Sequence, residues 1–160
     1  MGNSVFHGEF DQLDKAILEA LQTNGRISVA DLARAIHLSP PAVYQRIKRL
    51  ERAGLIKGYV ALVDREAAGL DVLCFIRLTI QPHTNEQIEL LQKALNEWPE
   101  VLECHHMAAG YDFLLRVATK DHKALDRFLT ERLMRIPGVQ KIETSIVLRE
   151  MKATTAFSLD

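Results

Sequence analysis

The chain has 160 residues, 48% of them apolar and 26% charged, a balance that excludes wholesale disorder and allows one large domain or two small ones. No apolar run approaches the ~18 residues of a membrane helix, and no basic segment leads into a long apolar stretch that would mark a secretory signal. Two cysteines, Cys74 and Cys104, make no disulfide framework and fit a reducing cytoplasm. The start, Met1-Gly2-Asn3-Ser4-Val5-Phe6, resembles a myristoylation site but has Phe6 where Ser or Thr is required.

The formal charge is only −1, and its distribution says more than its sum. Between residues 40 and 60, Arg46, Lys48, Arg49, Arg52 and Lys57 stand against Glu51, five cations to one carboxylate and a net of +4. Residues 65–160 carry 12 basic and 14 acidic side chains, a net of −2. A local basic patch on a neutral protein is a compact electrostatic footprint.

Residues 1–10 show no period and read as a loose arm. From Asp11, apolar residues at Leu13, Ile17, Leu18 and Leu21 have helical spacing, and Asn24-Gly25 is a stop signal. Ser28 is an N-cap for a short helix with Val29, Leu32, Ala33 and Ile36 on one face. His37-Leu38 forms a tight connection. Ser39-Pro40 then starts a third helix, with Ser as cap and Pro where its missing N–H costs nothing. This helix should run over 40–53 and stop at Gly54. At about 100° per residue, Val43, Ile47 and Leu50 face inward. Pro41, Gln45, Lys48, Arg49 and Arg52 fall on the opposite, basic face. Two short helices over 28–53, a connection of about three residues, and a basic second helix describe a helix-turn-helix.

Residues 55–63 are β-rich and are expected to form a connecting strand that closes an N-terminal domain over 11–63. Residues 64–71 read as a linker. From Val72, alternation through Ile80 predicts a strand. Thr84 with Gln87 reads as a capping box for a helix bearing Ile88, Leu91, Leu95 and Trp98. Strands follow over 101–108 and 112–119. Asp121 caps a helix with Leu125, Phe128, Leu129 and Leu133, and a last strand spans 139–148. The order β-α-β-β-α-β over 72–155 is the ferredoxin-like arrangement. The fold class is therefore α+β, a winged-helix-like N-terminal domain joined by a strand to a ferredoxin-like domain. The open sheet face should carry Leu73, Phe75, Leu102, Leu114 and Ile142, an apolar surface that a second subunit would cover.

These residues resemble the Lrp/AsnC family of bacterial and archaeal regulators. The resemblance is carried by Ser39-Pro40, Arg46-Ile47-Lys48-Arg49-Leu50-Glu51, Gly54-Leu55-Ile56 and Gly58-Tyr59 in the first half. In the second half it rests on Glu103-Cys104-His105, Tyr111-Asp112-Phe113-Leu114-Leu115, Pro137-Gly138-Val139 and the tail Lys152-Ala153-Thr154-Thr155. It implies a cytoplasmic, nucleoid-associated transcriptional regulator that binds double-stranded DNA. Family members form homodimers and often octamers through the second domain, and sense amino acids or related metabolites. No other cofactor is implied.

On this reading Ser39, Pro41, Ala42, Tyr44, Gln45, Arg46, Lys48, Arg49 and Arg52 meet DNA. The start of a recognition helix faces base edges, which places Pro41, Ala42 and Gln45 for readout, and Gln can pair bidentately with adenine. The cations further along hold phosphates. Tyr44 is either a rim packing residue or a phosphate contact. His37 stands where relatives usually have Gly, and His tolerates a left-handed backbone; its role is conformational.

The resemblance places the effector at Ala109, Gly110, Tyr111 and Asp112, with Thr144, Ser145 and Ile146 on the last strand. A free amino acid needs backbone N–H groups for its carboxylate and an acceptor for its ammonium, which Asp112 supplies. The family's Gly falls at position 109, where this chain has Ala109 and shifts the glycine to Gly110. Asp112 has an alternative role as a strand cap or ion-pair partner, and Thr144 to Ile146 as ordinary strand packing. Cys104 and His106 share a strand face, but two ligands are not a metal site. An enzyme using Asp112, Tyr111 and His105 or His106 finds no nucleophile–base spacing, phosphate loop or metal set. The competing reading is a constitutive architectural DNA-binding protein without an effector.

Overall fold

The computed structural model describes residues 11–159, so the arm expected over 1–10 lies outside the described residues. The chain divides into two units, one ending at Leu62 and resuming at Lys152, the other spanning 63–151. Each has its own apolar cluster.

In the first unit, α1 (Gln12–Thr23) starts at a reciprocal cap. Asp11 accepts from the Asp14 N–H at 2.8 Å, and Asp14 accepts from the Asp11 N–H at 3.4 Å. α2 (Val29–Ala35) is capped by Ser28, and α3 (Pro40–Arg52) by Ser39, whose hydroxyl accepts from the Ala42 N–H at 3.4 Å. Ile17, Leu32, Ala33, Val43 and Leu50 are buried at the centre. His37 adopts φ 57°, the left-handed backbone expected of the turn.

One expectation needs correction here. No strand forms over 55–63 among the described residues. The N–H groups of Leu55 and Ile56 both donate to the Leu50 carbonyl, closing α3 around Gly54 (φ 73°). Beyond that turn Val60, Leu62 and Val63 are exposed with no strand paired to them, and β-propensity acts only through packing. The linker over 64–71 is an ordered turn: Asp64 accepts from the Ala67 N–H at 2.8 Å, and Gly69 takes φ 81°. Lys152 onward clusters with the first unit and not with the sheet. The Gln22 amide clamps that tail, donating to the Phe157 carbonyl at 3.1 Å and accepting from its N–H at 2.9 Å, while Leu159 packs on the helical core.

The second unit contains β1 (Val72–Ile80), α4 (Asn85–Asn96), β2 (Val101–His106), β3 (Phe113–Thr119), α5 (His122–Arg127) and β4 (Val139–Ile146). The sheet is antiparallel in the order β2-β3-β1-β4. Cys74, Ile76, Leu78, Leu115 and Val117 share one cluster with Leu91 and Leu95 of α4 and with Leu125 and Phe128. Burial pushes the Cys74 thiol up to about 11, so it stays protonated and unreactive.

The opposite sheet face carries Phe75 and Leu114, but not Ile142. Ile142 pairs with Leu78 and packs into the core, because register sends alternate residues to opposite faces. α5 also departs from a plain helix: after Arg127 a wider turn spans Phe128–Arg132, followed by a tight turn over Leu133–Arg135. The five-residue step lets both Phe128 and Leu133 reach the core. The capping box at Thr84 is half made. Thr84 accepts from the Gln87 N–H at 3.3 Å, whereas Gln87 Oε1 is buried without a partner among the described residues.

Gly138 sits at φ 88°, and a Cβ there would lie 3.0 Å from the Gln81 carbonyl oxygen. Gly138→Ala is expected to destabilise the second unit by at least about 1–2 kcal/mol from backbone conformation alone. Denaturant unfolding read at Trp98 checks it, and an unchanged midpoint would refute it.

Candidate nucleic-acid interface and effector loop

α3 presents one polar face to solvent because its apolar residues recur at 43, 47 and 50 and are consumed by the core. Ser39, Pro41, Tyr44, Gln45, Lys48, Arg49 and Arg52 are exposed; Ala42 and Arg46 are half-buried. The Gln45 side chain has no partner among the described residues and stands free at the helix's leading end. Lys48 bonds Glu51 at 2.7 Å and lies 5.7 Å from the Tyr44 ring centre. That carboxylate raises the Lys48 value and is itself lowered by it. Tyr59 donates to the other Glu51 oxygen at 3.2 Å.

Arg46 and Arg49 differ from the other cations. Arg46 Nη1 donates to Asp11 at 2.7 Å and to Asp14 at 2.9 Å, and Arg49 Nη2 donates to the second Asp14 oxygen. Asp14 has no exposed surface. The Asp14 N–H, followed by Arg46, holds the Asp11 carboxyl below its usual value. The expectation that Arg46 and Arg49 are phosphate ligands therefore meets an internal ion cluster, formed by partners 32–35 residues away that a pattern along one helix cannot reveal.

The loop over 108–112, expected to hold the effector, closes the β2–β3 hairpin. Met107 donates to the Asp112 carbonyl at 2.8 Å, and Asp112 donates to the Leu78 carbonyl at 2.8 Å. Asp112 Oδ2 accepts from the Ile80 N–H at 2.8 Å, and Oδ1 lies 3.5 Å from His83 Nδ1. One oxygen is thus a strand cap, as the alternative role for Asp112 requires, and the other is held only loosely. Ala109 and Gly110 are exposed, and a Cβ on Gly110 would meet nothing within 4 Å. Tyr111 lies under Arg77, with 5.7 Å from guanidinium to ring centre.

Sequence reading missed His83. It stacks on Phe113 (6.4 Å) and lies tilted beside His106 (5.4 Å), brought there by the β1–β3 and β2–β3 pairings. Cys104 and His106 do pair with the helix-side residues Leu115 and Phe113. Among the described residues no group of three or more His, Cys, Asp or Glu side chains is placed to hold a metal ion.

The two halves of the expected effector site do not meet in one chain. The loop attaches beside Leu78 on the β3 side of β1, whereas Thr144, Ser145 and Ile146 pair with Ile76, Phe75 and Cys74 from the β4 side. Two strand spacings, roughly 10 Å, lie between β3 and β4.

A capped helical unit with an exposed basic recognition face, carried on a chain with a βαββαβ unit, defines a two-domain DNA-binding regulator. Residues 10–57 match the winged helix-turn-helix DNA-binding domain, and residues 73–157 match the Lrp/AsnC ligand binding domain. The chain is similar to the leucine-responsive regulatory protein of Escherichia coli, 35% identical over 144 residues that cover 90% of this chain and 88% of that one. Among solved structures it is similar to a Neisseria meningitidis transcriptional regulator in complex with L-Met. That similarity has TM-score 0.91 and 35% identity, over 95% of this chain and 98% of the other. Escherichia coli AsnC superposes with TM-score 0.86 at 31% identity, covering 93% and 99%.

The chain belongs to the Lrp/AsnC family of transcriptional regulators. It is a DNA-binding regulator of transcription and not an enzyme. No helix among the described residues is long and apolar enough to cross a membrane.

Proposed function

We propose that this regulator binds promoter DNA sequence-specifically through the leading end of α3, and that an amino acid held at the loop 108–112 modulates its DNA binding or assembly. The observation that carries this reading is the loop itself. It belongs to the family's ligand-binding domain, exposes Ala109 and Gly110, and keeps Asp112 Oδ1 directed at a weak contact. A relative of 35% identity was solved with L-Met, and an anchored carboxylate is the group an ammonium requires.

On the DNA side, Gln45 with Pro41 and Ala42 reads base edges, and Ser39, Tyr44, Lys48 and Arg52 contact the backbone. Thr144, Ser145 and Ile146 join the loop only across copies of the chain. Phe75 and Leu102, 38% and 44% exposed, support pairing of sheet faces into a homodimer and higher assemblies such as an octamer. The protein would act in the cytoplasm, on nucleoid DNA.

A thermal-shift screen against the proteinogenic amino acids, L-Met included, tests this reading. A ligand at ~100 times its Kd stabilises the fold by about 2.7 kcal/mol. That moves the midpoint several degrees, at ~2–4 °C per kcal/mol. One clear hit that also shifts a DNA titration supports the reading. No hit at millimolar concentration would replace it with the constitutive architectural one.

A further inference from the structure

We propose that Asp14 is a positioning residue for DNA recognition: its buried carboxylate locks α3 to α1 through Arg46 and Arg49 and withholds both cations from DNA phosphates. This rests on the DNA-binding reading of α3 and adds to it which cations on that helix act on DNA.

Asp14 lies in the first turn of α1 and is fully buried. Its Oδ1 takes a hydrogen bond from Arg46 Nη1 at 2.9 Å, its Oδ2 one from Arg49 Nη2, and the Asp11 N–H adds a third at 3.4 Å. The same Arg46 nitrogen reaches Asp11 at 2.7 Å. Two carboxylates and two guanidinium groups therefore neutralise one another between two helices. A buried carboxylate stripped of its partners is strongly unfavourable, so neither arginine leaves Asp14 without cost. Arg46 and Arg49 stand one turn apart on the flank of α3 that meets α1, and their link fixes the rotation of α3 about its own axis. That rotation decides which residues, Gln45 foremost, face the groove. Arg49 remains 46% exposed at its side chain and so lies within reach of the surface once released.

Salt dependence of binding separates a clamp from a phosphate ligand, because each phosphate neutralised contributes about −0.9 to the slope of log Kobs against log salt. The probe is the full chain with a mixed-sequence DNA duplex. Arg49→Ala should leave the wild-type slope unchanged. Asp14→Asn, which keeps an acceptor for the Asp11 N–H but removes the charge, should steepen the slope by about 0.9 as Arg49 becomes available. General loss of stability produces no such steepening. A slope reduced by about 0.9 in Arg49→Ala overturns the proposal, as does a folded Asp14→Asn with the wild-type slope.

If either variant fails to fold, the wild-type protein decides. Side-chain ¹⁵N spectra should show the Arg46 and Arg49 Nη signals unmoved on adding the duplex, and a DNA-dependent shift of Arg49 overturns the clamp. A wild-type protein with no salt-dependent binding would refute the DNA interface itself, a different outcome from failure of the clamp.

Discussion

Leu50→Ala is expected to remove DNA binding by unfolding the first unit while the second stays folded. Leu50 has no exposed surface and packs with Ile17, Leu18, Leu32, Ala33, Val43 and Ile47. Truncating a buried leucine costs about 2–5 kcal/mol through lost transfer energy and the cavity left behind. A unit this small holds little in reserve, since short domains bury a smaller share of their surface. The second unit has its own core, so the loss should not spread. Trp98, the only tryptophan, packs edge-on against Phe128 at 5.5 Å in that second core. Helical circular dichroism should therefore show an early transition in Leu50→Ala that Trp98 fluorescence does not. Coincident early transitions in both signals would show that the units fold as one.

Asp112→Asn is expected to weaken binding of the amino acid found by the screen about 10–150-fold, with the unliganded thermal midpoint almost unchanged. Asn retains an oxygen for the Ile80 N–H, which Asp112 now satisfies at 2.8 Å. It loses the charge that an ammonium needs, and hydrogen bonds to charged groups contribute about 1.5–3 kcal/mol. Asp112→Ala differs because it also orphans the Ile80 N–H, at about 1–3 kcal/mol of stability. Titration calorimetry with the two variants separates the roles. Wild-type affinity in Asp112→Asn, together with a lowered midpoint in Asp112→Ala, would make Asp112 a strand cap and nothing more.

Local signals in this chain were reliable where their range was short. Ser28, Ser39 and Asp121 cap the helices they precede, because a cap bond joins residues about three apart. The alternation from Val72 to Ile80 became a strand with alternate residues buried on one face, and the spacing of Val43, Ile47 and Leu50 became the buried seam of α3. His37 took the left-handed backbone that a turn without glycine demands. Elsewhere distant neighbours decided the outcome. Residues 55–63 carry strand-forming side chains but have no paired strand. Ile142 changed faces because pairing with Leu78 set its register. His83 reached Asp112, and Phe157 reached Gln22, across 29 and 135 residues.

The basic face of α3 shows the division most clearly. Sequence alone determined that α3 is a capped amphipathic helix with five cations near it, since caps and periodicity depend on residues within a turn or two. Which of those cations are paired with a buried carboxylate was decided only when α1 brought Asp14 against Arg46 and Arg49. A charge acts through its nearest partners in space, at strengths that depend on burial, and neither quantity is written along the chain.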